Sequence, residues 1–98
     1  MDEADMRSCV DEHAEAVERG DMESVGADFI EELQAQLPQI AESLPQPVRK
    51  AEVVSLEVGD SESVAVIRYT GEDSELTVRS YWQDRGSRPL IVRAEPLS

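Results

Sequence analysis

The sequence predicts an α+β domain: N-terminal helices packed on one face of a four-stranded antiparallel meander sheet. Three observations carry this. Residues Glu75 to Ala94 read as a hairpin of two strands, Leu76–Asp84 and Pro89–Ala94, joined by the turn Arg85-Gly86-Ser87. Apolar residues recur at helical spacing in the first half of the chain and alternate in the second. Pro45 and Pro47 mark the change, so 2–47 is a helical half and 48–98 a sheet half of a single domain, 1–98.

The first helix spans about Asp2 to Arg19. Met6, Val10, His13 and Val17 fall on one stripe with Cys9 beside it, and acids fill the other faces. Gly20 is placed to end this helix in the left-handed conformation that glycine adopts without steric cost. Asp21 then caps a second helix whose apolar side is Met22, Val25 and Phe29. A longer stripe follows at Ile30, Leu33, Leu37, Ile40 and Leu44. Pro38 interrupts it, because proline has no N–H for the carbonyl of Gln34, so a kink or a close break is expected there.

The strands come next. Glu52–Val58 leads through a two-residue turn at Gly59-Asp60 to Ser63–Thr70. A turn around Gly71-Glu72-Asp73 then pairs Ile67 with Val78 and Tyr69 with Leu76. The final hairpin, closed on three turn residues, sets Asp84 opposite Arg88, Trp82 opposite Leu90, Ser80 opposite Val92 and Val78 opposite Ala94. Because side chains alternate, Val54, Leu56, Val58, Ala65, Ile67, Tyr69, Val78, Trp82 and Leu90 share the inner face. Val64, Val66, Arg68, Arg79, Tyr81, Ile91 and Arg93 share the outer one.

Composition narrows the function classes. The 98 residues carry 9 basic and 22 acidic side chains, a net charge of −13. Residues 1–50 hold 4 basic against 13 acidic, and 51–98 hold 5 against 9, so the helical half carries −9 and the sheet half −4. So negative a surface repels phosphate backbones, which disfavours nucleic acids and anionic membranes as partners. No apolar run approaches the roughly 20 residues of a membrane span. The start, Met1-Asp2-Glu3-Ala4-Asp5, is acidic where a secretory leader is basic, and the expected location is cytoplasmic. Cys9 is the single cysteine, so no disulfide and no cysteine-based metal cluster is expected, and no cofactor motif is present.

Two stretches are similar to the nuclear transport factor 2-like superfamily, the cystatin-like α+β folds that include ketosteroid-isomerase-like and SnoaL-like proteins. One is Val17-Glu18-Arg19-Gly20-Asp21-Met22-Glu23-Ser24-Val25, resembling its helix, Gly-Asp, helix opening. The other is Tyr81-Trp82-Gln83-Asp84-Arg85-Gly86-Ser87-Arg88-Pro89-Leu90-Ile91-Val92, resembling its final hairpin. The resemblance implies helices wrapped by an antiparallel sheet and dimerisation through that sheet. Its isomerase members work with a pocket aspartate, a tyrosine and a second acid. Here every inward strand position beyond Glu52 is apolar, aromatic or serine, so the strands supply no such acid.

Two groups of candidate residues follow. His13, the single histidine, with Tyr69 and Trp82 across the layer, is the candidate pocket for a small apolar ligand or for general-base chemistry. The same three residues equally form an ordinary core, with the imidazole nitrogens satisfied by the backbone. Arg68, Arg79, Tyr81, Ile91 and Arg93 are the candidate interface, a mixed arginine and apolar patch on an otherwise acidic chain. The functional expectation is a non-catalytic binding or assembly module forming a homodimer through its sheet. The alternative is a small-molecule enzyme or binder of the ketosteroid-isomerase-like type.

Overall fold

A computed structural model describes residues 2–45, 47–86 and 88–97. Three α-helices and a 3-10 helix precede a four-stranded antiparallel sheet, the α+β arrangement predicted above. Helix α1 is Glu3–Arg19. Asp2 caps it, its carboxylate accepting from the amides of Ala4 at 2.8 Å and Asp5 at 3.4 Å. Gly20, at φ 72°, ends it as expected, and Asp21 accepts from the amide of Ser24 to start α2, Met22–Ala27.

The long apolar stripe does not form one helix. A 3-10 helix, Glu31–Gln36, passes directly into α3, Leu37–Ser43, and Pro38 sits in the first turn of α3, where its missing N–H costs nothing. Neither piece buries a residue fully. Leu33, Leu37, Ile40 and Leu44 only lean against the core. Met22 also departs from expectation, being 46% exposed.

Strands β1 (Lys50–Val58), β2 (Glu62–Thr70), β3 (Glu75–Asp84) and β4 (Pro89–Pro96) pair in sequence order. The β2–β3 register is the predicted one, Ile67 opposite Val78 and Tyr69 opposite Leu76. The other two pairings differ. Between β1 and β2 the two-residue tip is Asp60-Ser61, closed by the Gly59 amide donating to the Glu62 carbonyl, rather than Gly59-Asp60. A bulge between Val53 and Ser55 then leaves Val54 unpaired and 52% exposed, so Val53 and Ala51, not Val54, face the core.

At the last hairpin the Arg85 amide donates to the Arg88 carbonyl, which sets Asp84 opposite Pro89, Gln83 opposite Leu90 and Trp82 opposite Ile91. Ser87, placed in this turn by the sequence, lies outside the described residues. A second irregularity between Tyr81 and Trp82 puts Tyr81 opposite Arg93 and Ser80 opposite Ala94. Ile91 therefore points inward beside Trp82 and is 1% exposed, while Leu90 turns to the outer face. A one-residue slip exchanges faces, so Ile91 takes the inward place that the sequence register gave to Leu90.

The core sits between α1, α2 and the inner face, centred on Trp82, Ile67, Ile91, Met6 and Val10. Residues 28–30 form a short parallel bridge to the free edge of β4. The Ile91 amide donates to the Asp28 carbonyl at 2.7 Å and the Ile30 amide to the Ile91 carbonyl at 3.0 Å. At the opposite edge, the Glu18 carboxylate accepts from the Ala51 amide at 2.7 Å. Among the described residues no helix is long and apolar enough to cross a membrane.

Candidate functional site

The side chain that organises the interior was not singled out in the sequence. Asp28 follows α2, and its backbone is fixed on one side by Val25 and on the other by Ile91. That placement directs its carboxylate between two cationic or cation-capable groups. Oδ2 meets His13 Nδ1 at 2.8 Å, and Oδ1 accepts from the Arg88 guanidinium. His13 is 5% exposed and stands edge-on to Trp82, with ring centres 5.5 Å apart, and to Phe29 at 6.0 Å. Against a carboxylate acceptor Nδ1 carries the proton, which leaves Nε2 as the other ring nitrogen. The inner layer thus does contain an acid, but it comes from a helix end and not from a strand.

His13 does face the sheet as expected, but its partner is a carboxylate rather than the backbone. Tyr69 is 4% exposed, and burial pushes its phenol well above the ordinary 10.0. Trp82 is 0% exposed and donates its indole N–H to Ser80 Oγ at 2.9 Å. Ser80 in turn donates to the Ala65 carbonyl at 3.2 Å. Trp82 is therefore a satisfied core residue. His13 and Tyr69 line a small, partly open cavity of about 40 Å³, and Trp82 is not part of its wall. The predicted ligand space is almost filled.

Cys9 lies one turn before His13 but makes no bond to it among the described residues, and His13 Nδ1 pairs with Asp28 instead. Burial pushes the Cys9 thiol up, opposed by Arg88, so it is not an activated nucleophile. Cys9 lines instead an open cleft of about 400 Å³ with Glu12, Glu15, Arg19, Asp28 and Arg88. Among the described residues no three metal-ligating side chains converge.

The outer sheet face carries four of the five predicted interface residues. Ile91 is the exception, since the register slip places it in the core. Arg68 pairs with Glu52. Glu95 gathers the rest: Oε1 accepts from Tyr81 at 3.0 Å and from Arg79 at 3.0 Å, and Oε2 from Arg93 at 2.9 Å. Arg93 also lies 5.1 Å from the centre of the Tyr81 ring, in cation–π reach. The Tyr81 hydroxyl first, then Arg93 and Arg79, hold the Glu95 carboxyl below its ordinary range. Glu95 escaped the sequence because the predicted strand stopped at Ala94, one residue short of the position opposite Arg79.

No family model, no curated protein and no solved structure matches the chain.

Proposed function

We propose that this chain is a non-catalytic assembly module of the cytoplasm that forms a homodimer through the outer face of its sheet, in the manner of nuclear transport factor 2-like domains. The observation that carries this is electrostatic. By register, the outer face presents Lys50, Arg68, Arg79 and Arg93 against Glu52, Glu57, Glu62, Glu75 and Glu95, a near balance on a chain of net charge −13. Two copies this acidic approach each other at least cost where their charges already cancel. Val64, Val66, Leu90 and the Tyr81 ring, all half-buried, supply the apolar part of the contact.

The size is adequate. Four strands at about 4.8 Å spacing and roughly nine residues of about 3.3 Å give a face of roughly 600 Å² in projection. A standard interface covers about 800 Å² per partner, a value that side-chain relief brings within reach. Sedimentation of the wild type is expected to report a dimer, and the Arg79→Glu/Arg93→Glu variant a folded monomer. Val66→Asp, which leaves the Glu95 network intact, should have the same effect. A monomeric wild type, or a dimer that survives both variants, would remove the proposal.

A further inference from the structure

Two polar atoms in the helix–sheet layer have no hydrogen-bond partner among the described residues, and neither is sealed from contact with a water-sized group. His13 gives Nδ1 to Asp28, and no hydrogen bond among the described residues reaches Nε2. Tyr69 is 4% exposed, and its hydroxyl likewise has no hydrogen-bond partner among the described residues. Both side chains line the partly open space of about 40 Å³. Its remaining walls are largely apolar, and the one hydroxyl there, Ser80, is already engaged with Trp82 and Ala65. A single water needs only roughly 10–15 Å³ of such space, so the cavity takes a small polar head group.

A second space adjoins it. Between α2 and α3 runs an apolar groove of about 250 Å³, bounded by Met22, Leu37, Pro38 and Ala41. Val25, Ile40 and Leu44 wall both spaces, so they form the partition between cavity and groove. Ile40 and Leu44 belong to the segment that buries no residue fully, which makes them the least anchored part of the core.

We propose that cavity and groove together bind a neutral aliphatic molecule bearing a single hydroxyl or carbonyl at one end. The head enters the cavity and accepts a hydrogen bond from the Tyr69 hydroxyl. An alcohol head also donates to Nε2 when the imidazole is in its neutral Nδ1–H form. The tail parts Ile40 from Leu44 and lies along the groove. A carboxylate head is excluded, since it would enter an apolar enclosure one imidazole away from Asp28. The site faces away from the outer sheet surface and does not depend on assembly there.

The test is a titration with 1-octanol, 1-hexanol, 1-butanol and octanoate, read by the emission of Trp82, whose ring lies 5.5 Å from His13, and by the melting midpoint. Saturable binding of 1-octanol is expected, weakening about fourfold for each methylene removed. Octanoate should not bind. Tyr69→Phe should weaken 1-octanol at least fivefold, and Ala41→Phe should abolish the dependence on chain length. Failure of 1-octanol to saturate overturns the proposal, as does equal binding of octanoate. So does indifference to both substitutions, or an absence of chain-length dependence in the wild type, which would leave a single water as occupant. Should Tyr69→Phe melt without cooperativity, Ala41→Phe, at a half-exposed groove position, decides alone.

Discussion

Asp28 serves two partners with one carboxylate, so its removal should cost more than either partner's. Asp28→Ala leaves the buried His13 N–H without an acceptor and Arg88 without its carboxylate, a loss expected at about 3 kcal/mol in urea unfolding. Arg88→Ala should cost under about 1 kcal/mol, because the Arg88 side chain is 44% exposed and water replaces its partner. Equal losses in the two variants would show that the carboxylate does not bridge. Tyr69 gives a pH dependence with a definite sign. Burial raises its folded value above the ordinary 10.0, so above that pH the unfolded chain ionises the phenol while the folded chain keeps the proton. The folded state then binds more protons than the unfolded one, and stability falls as pH rises past about 10, by up to about 1.4 kcal/mol per unit. Urea midpoints from pH 9 to 11 should show this fall in the wild type and lose much of it in Tyr69→Phe. An unchanged slope would assign the alkaline loss to other groups.

The order of helices before strands, the caps at Asp2, Gly20 and Asp21, and the β2–β3 register were legible in the sequence, because each rests on local chemistry or on alternation across a tight turn. The two bulges were not. A bulge inserts one residue without any compositional mark, and Val53-Val54 offers two identical side chains for one inward position. The choice belongs to the neighbouring strand and the helices above it. Substitution separates the pair: Val54→Asp, at a position 52% exposed, should change stability by under about 0.5 kcal/mol, whereas Val53→Asp, turned to the core, should cost several. Similar losses at both positions would mean that the bulge lies elsewhere. The same limit explains the site. His13 lies in α1 and Asp28, 15 residues on, just past the end of α2, and only the packing of these two helices brings them together. Asp28 carries no signal of its own in a chain with 22 acidic residues.

At the scale of the whole molecule the dominant quantity is the net charge of −13. Joining two copies doubles that charge in one particle, and the repulsion acts mainly between groups outside the contact. Salt shortens the reach of this repulsion, to about 10 Å at 0.1 M and about 3 Å at 1 M. Inside the contact the arginines and glutamates are already paired within each copy, so salt has little to weaken there. The proposed dimer should therefore tighten as sodium chloride is raised from about 0.05 to 0.5 M, as measured by sedimentation equilibrium. Weakening would indicate that opposite charges attract across the interface, and the face would have to be reassigned.

The bridge from residues 28–30 to β4 also bears on how quickly the chain finds its fold. Arg88 reaches Asp28 across 60 residues of sequence, and Ile91 pairs with Phe29 across a similar span. Both ties are made by residues of the last hairpin, so the seat of α2 is complete only with that hairpin in place. Helices as short as α2 do not persist alone in water. The expected rate-limiting ensemble is one in which the β-meander is largely assembled and the seat of α2 is still open, a route of higher contact order than that of a helical bundle of equal length. In kinetic terms, conservative truncation at Ile91 should slow refolding, while truncation at Leu37 should chiefly speed unfolding.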